Sequence, residues 1–180
     1  MQAFIPVDIQ DGFNDWDHWG GPRNNPAFEN NVARLLTVAR ASGAPVIHVK
    51  HNSTEAHSPL HPNHPGNQIM AIAAPLAGET VIEKNVNSGF IGTALEALLH
   101  ETGVTDLVIF GITTDQCVST TTRMAANLGF GVRLVGDACA TFPKTLPDGR
   151  MFDAQIIHDA NLASLHNEFA QVVTTDDVLA

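Results

Sequence analysis

Short apolar runs alternate with amphipathic stretches along the whole chain. Residues 3–9 (AFIPVDI) read as a first strand, rich in the branched and apolar side chains that suit a buried sheet. Asn25-Pro26 then opens a helix in which Phe28, Val32, Leu35, Leu36 and Ala39 recur on one face and Gly43 marks the stop. Residues 44–50 (APVIHVK) predict a second strand and residues 80–84 (TVIEK) a third. A helix over 92–101 leads to the run TDLVIFG, the fourth strand, and a further helix carrying Cys117 runs to about Leu128. Residues 131–138 (GVRLVGDA) give a fifth strand, 153–167 the last long helix, and 169–175 (FAQVVTT) a final strand.

Strands separated by helices in this way predict a parallel sheet covered on both faces. With right-handed crossovers the expected fold is an α/β/α sandwich, a doubly wound, mainly parallel, Rossmann-like sheet of six strands. No internal repeat or composition break divides the 180 residues, so residues 1–180 are expected to form a single domain. Two connections, 10–24 and 51–68, are long for a compact α/β domain, and long loops in such a domain are usually functional.

Composition narrows the chemistry. Nine Lys and Arg against nineteen Asp and Glu give a net charge of −10, which disfavours nucleic acid and anionic membrane as partners. No stretch approaches the ~18 uninterrupted apolar residues of a membrane span. The first residues lack the basic and small-residue pattern of a secretory signal, and only two Cys are present, so a cytoplasmic protein with reduced thiols is expected.

In an open parallel sheet, ligands gather outside the carboxyl ends of the strands. That rule selects Asp8 at the end of the first strand, Lys84 at the end of the third and Cys117 just past the fourth. A Cys in the first turn of a helix faces unpaired N–H groups, and a neighbouring ammonium would favour its thiolate further. A carboxylate beside it could exchange protons with thiol and leaving group. Taken singly, each residue has a plainer use, as core thiol, turn former or solvated lysine; their shared edge is what suggests chemistry.

These residues lie in segments similar to a known group. VDIQDGF resembles the opening motif of the isochorismatase-like cysteine hydrolases, the superfamily that includes the nicotinamidases. EKNVNSGFIGTALEALL resembles its lysine segment, and GITTDQCVSTTTRMAANLGF its nucleophile segment. The resemblance implies a catalytic triad of Asp8, Lys84 and Cys117. It also implies a non-proline cis peptide at Ile112–Thr113 and an oxyanion hole from the backbone N–H groups of Thr113 and Cys117. Gln10, Phe13, Ser88, Phe90 and Ile112 are then expected around the substrate. The implied reaction is hydrolysis of an amide or other non-peptide C–N bond of a small molecule through a thioester, by a homodimer or homotetramer.

Other chemistries match the residues present less well. Five His crowd into HVKHNSTEAHSPLHPNHPG (His48, His51, His57, His61, His64), but the Asp-x-His pair that holds metal in nicotinamidases is missing, so no metal and no cofactor are expected. A metal-assisted amidase and a non-catalytic binding protein on the same scaffold are the alternatives. The acidic loop DGFNDWDHW does not have calcium-loop spacing, and no Gly-rich dinucleotide fingerprint occurs. Cys139 reads as core, with a two-thiol redox pair as a weaker possibility, and Trp16 and Trp19 as packing or pocket aromatics.

Overall fold

A computed structural model describes residues 1–180. In chain order the elements are strand β1 (Gln2–Val7), helix α1 (Trp16–Trp19), α2 (Phe28–Ser42), β2 (Ile47–His51), β3 (Thr80–Lys84), α3 (Leu95–Glu101) and β4 (Asp106–Ile112). They continue with α4 (Ser119–Asn127), β5 (Gly131–Ala140), a two-stranded hairpin β6 (Lys144–Thr145) and β7 (Met151–Phe152), α5 (Ala154–Leu165), β8 (Gln171–Val173) and α6 (Thr175–Leu179). Six strands form one sheet in the order β3-β2-β1-β4-β5-β8, every pair parallel. This is the predicted doubly wound sandwich.

The apolar face read from α2 is the one that folds inward: Phe28, Val32, Leu35, Leu36 and Ala39 are all buried. α2 and α6 pack on one face of the sheet, and α4 and α5 on the other. The central strands β1 and β4 are buried almost throughout, which is why their sequences are near-continuous apolar runs. No helix is long and apolar enough to cross a membrane.

Differences from the sequence reading sit at element ends. Pro26 belongs to a turn, and α2 begins at Phe28. α3 begins at Leu95, because Gly92 adopts φ +71° within a turn at residues 91–92. The hairpin β6–β7 and the closing α6 carry too few residues for a periodic signal. α6 is held instead by a capping box, Thr174 accepting from Asp177 N–H while the Asp177 carboxylate accepts from Thr174 N–H.

One backbone contact ties the centre of the sheet together. Gly111, at φ +139°, lies so close to β1 that an added Cβ would stand 2.0 Å from the Val7 carbonyl oxygen. Only glycine fits such an approach. The ladder between β4 and β5 also shifts register between Ile109 and Gly111. The end of β1 and the start of the turn after β4 are thereby drawn against each other.

Candidate active site

Three strand ends meet at the carboxyl edge of the sheet. Asp8 follows β1 at φ +51°, a left-handed conformation uncommon for a residue with a side chain, and its N–H donates to the Val49 carbonyl at 2.8 Å. Lys84 is the last residue of β3. Cys117 lies in a widened, five-residue π-helical turn (Thr114–Val118) that runs into α4, directly after a cis peptide bond at Ile112–Thr113. The turn is fixed from outside: Thr114 Oγ1 pairs with His158 Nδ1 at 2.8 Å, and the Asp115 carboxylate accepts from Thr141 Oγ1 and faces Lys144 Nζ at 3.5 Å.

Lys84 organises the centre. Its ammonium donates to Asp8 Oδ2 at 2.7 Å, to His51 Nδ1 at 3.1 Å and to Cys117 Sγ at 3.3 Å. The Lys84 and Asp8 side chains are fully shielded from solvent, whereas Cys117 keeps 8 % of its surface open. Asp8 Oδ1 is buried without a hydrogen-bond partner, and so is Thr113 Oγ1. Buried polar atoms of this kind are rare and call for a reason. In a site that receives a substrate, an open carboxylate oxygen is where a proton can be placed.

Burial, and then the Asp8 carboxylate, push the Cys117 thiol well above its ordinary value, with only partial relief from Lys84. The direction is opposite to the lowering expected from the helix start and the neighbouring ammonium. The physical reason is desolvation: the sulfur sits in a dry site beside a negative charge, and one ammonium shared among three acceptors does not offset both. His51 is pushed down, first by burial and then by the neighbouring ammonium, so its ring is neutral.

The predicted surrounding residues occupy distinct places. Gln10 is fully buried, and its amide is committed to backbone: Nε2 donates to the His51 and Asn67 carbonyls and Oε1 accepts from His51 N–H, each at 2.9 Å. It ties the long loop to β1 and has no donor left for a ligand. Phe13 is buried in an aromatic group with Trp19 and Phe142, ring centroids 4.8 and 6.0 Å away. Ser88 is buried and accepts from Phe90 N–H, Phe90 stacks near Phe130, and Ile112 is wholly enclosed. The Thr113 N–H makes no hydrogen bond within the protein, as an oxyanion donor requires. Cys139 is completely buried in β5 opposite Gly111, its thiol pushed up to about 12 by burial.

The histidine-rich loop does not gather a ligand set of the nicotinamidase kind. His48 pairs with Glu79 at 2.9 Å, and the Nδ1 atoms of His61 and His64 accept from Asn63 and Gly66 N–H. One group of metal-ligand type does converge: Asp8, His51 and Cys117 present atoms within 4.8 Å of one another. The Lys84 ammonium donates to all three, however, so the charge a metal would supply is already there. Residue spacing alone had not singled out His51 from its four neighbours. The signal was its place at the end of β2, the strand between those that deliver Asp8 and Lys84.

Comparison with known proteins bears on the same arrangement. The sequence profile described as the Isochorismatase domain matches residues 2–177. The isochorismatase family protein YrdC of Bacillus subtilis is 44 % identical over 99 % of this chain and 94 % of its own. Nicotinamidase 3 of Arabidopsis thaliana is 31 % identical over 98 % of this chain and 84 % of its own. A crystal structure of an isochorismatase-family protein from Chromobacterium violaceum superposes with a TM-score of 0.94 at 43 % identity, covering 99 % of this chain and 91 % of that one.

Proposed function

The chain belongs to the isochorismatase family of hydrolases, and from that premise we propose that it hydrolyses an amide or other non-peptide C–N bond of a small molecule through a thioester on Cys117. One observation carries the reading: a buried ammonium holds the carboxylate and the thiol together, 2.7 and 3.3 Å away, while Asp8 Oδ1 stays open. A relative that aligns with 98 % of this chain and is named a nicotinamidase supports the C–N bond as the target.

Because burial and the Asp8 carboxylate push the Cys117 thiol upward, the proton leaves as the C–S bond forms. Asp8 Oδ1 accepts it, and Sγ attacks the substrate carbonyl carbon. The carbonyl oxygen becomes an oxyanion, held by the Thr113 and Cys117 N–H groups. Protonated Asp8 then gives the proton to the leaving nitrogen, the C–N bond breaks, and an amine or ammonia departs. Water enters, Asp8 takes a proton from it, and hydroxide attack on the thioester releases the acid and restores the thiol. Lys84 stays an ammonium throughout and balances whichever of Asp8 and Cys117 is negative. No step uses a metal.

The test is ammonia or amine release by wild type and Cys117→Ala across small amides, ureides and nicotinamide, with acyl-enzyme trapped by acid quench for mass measurement. Loss of release in the variant, together with an acyl adduct on Cys117 in wild type, is the expected result. Equal release from both proteins would remove the cysteine from the reaction. A homodimer or homotetramer and a cytoplasmic location accompany this proposal, checked by sedimentation and by cell fractionation.

A further inference from the structure

Lys84 has three ammonium protons and three acceptors within reach, and only two of them belong to the triad. An ammonium can only donate. Nδ1 of His51 therefore faces it with a lone pair, which requires the neutral ring whose proton sits on Nε2. The Val86 carbonyl is the ring's other polar neighbour. The backbone of His51 is gripped on both sides by the Gln10 amide, and the Asn67 side chain also donates to its carbonyl at 3.1 Å. Ring tautomer, ring position and strand end are all fixed around one function, acceptance of a hydrogen bond from Lys84.

Resting on the proposed function, we infer that His51 is a positioning residue for this site: it holds the Lys84 ammonium against Asp8 and Cys117. Without that third acceptor, one N–H of a fully buried ammonium would be left unpaired, and a buried unpaired donor is destabilising. The Lys84 side chain would turn toward other carbonyls and lose its 3.3 Å contact with sulfur. The charged groups facing the imidazole are Asp8 from the end of β1 and Lys84 from the end of β3, with the Cys117 thiol beyond the ammonium; no residue of the remaining loop contributes a charge to it.

The role can be read without knowing the substrate, from alkylation of Cys117 by iodoacetamide as a function of pH. Cys139 is fully enclosed and stays silent while the protein is folded. In His51→Ala the alkylation rate at pH 8 is expected to fall about tenfold and its pH profile to move upward, because the sulfur anion loses its counter-charge. His51→Asn can present Oδ1 where Nδ1 stood, and is expected to recover most of the rate. In a Lys84→Met background, His51→Ala should have no further effect. An unchanged profile in His51→Ala, or an equal loss in the Asn and Ala variants, or an additive loss on top of Lys84→Met, would each overturn the inference. Thermal unfolding of every variant separates a local effect from a collapsed fold, and the Asn variant carries the test where Ala does not fold. The proposed function fails separately, through turnover that survives Cys117→Ala.

Discussion

Strand β2 begins and ends in two clusters built from the same three kinds of group, yet they behave differently. Near its start, His48 and Arg40 converge on Glu79, whose oxygens accept from Arg40 Nε at 2.7 Å, Arg40 Nη2 at 2.9 Å, His48 Nε2 at 2.9 Å and Leu76 N–H at 2.8 Å. At its end, His51 and Lys84 converge with Asp8, whose Oδ1 accepts from nothing. The first cluster is saturated, and the Arg40 hydrogen bonds hold the Glu79 carboxyl down at about 2. The second is short of one donor and includes a thiol. A saturated network stabilises one conformation; an unsaturated one keeps a place for a proton that arrives during chemistry.

The contrast breaks most sharply in opposite directions. Cys117→Ser should lower turnover of any amide the wild type accepts by a thousandfold or more while leaving the melting temperature within a few degrees, measured by product release and calorimetry. Glu79→Ala should do the reverse. It strands Arg40 and His48, so unfolding free energy is expected to drop by about 2–3 kcal/mol in denaturant titration, with turnover per folded molecule unchanged. A Glu79 variant that lost turnover as well would mean the two clusters are coupled along β2.

Acid sharpens the comparison with a smaller effect. Glu79 is depressed in the folded protein, so its contribution is complete above the unfolded value of 4.5 and is lost as pH falls toward about 2. His48 and His158 are also depressed, chiefly by burial, so below pH 6.5 the unfolded chain takes up protons that the folded one refuses. Both signs point the same way. Melting temperature should decline below pH 6.5 and more steeply below 4.5; Glu79→Gln should flatten the lower step and, by removing the carboxylate that supports a charged His48, steepen the upper one. The smallest effect expected is from Cys139→Ala: a loss of about 1 kcal/mol for a small cavity and less than a twofold change in turnover. A large drop in turnover there would revive a paired-thiol role.

The sequence carried the fold further than it carried the site's electrostatics. β-branched runs and one clear helical face were enough to specify the parallel sandwich, and the sheet-edge rule placed Asp8, Lys84 and Cys117 together. The family resemblance added the cis bond and the oxyanion amides. What stayed hidden depended on solvent exclusion, which has no signature in residue spacing. The protonated state of Cys117 follows from how deeply the turn is buried, and the turn's π-helical widening from backbone geometry. Gln10 illustrates the same limit: alternation put it on the face of Asp8, but only the fold shows its amide occupied by His51 and Asn67. His51 was visible as one of five histidines, and only the packing of three strand ends distinguishes it.

The guarded sulfur has one more consequence, for durability. Peroxide attacks thiolates that solvent can reach, and Cys117 at rest is neither ionised nor more than 8 % open. On the proposed mechanism, the same burial that calls for Asp8 as a base makes Cys117 a slow target for oxidation between turnovers. An enzyme that works by that mechanism, with no second thiol in its site to rescue a sulfenic acid, gains service life from keeping its cysteine a thiol until a substrate carbonyl is in place.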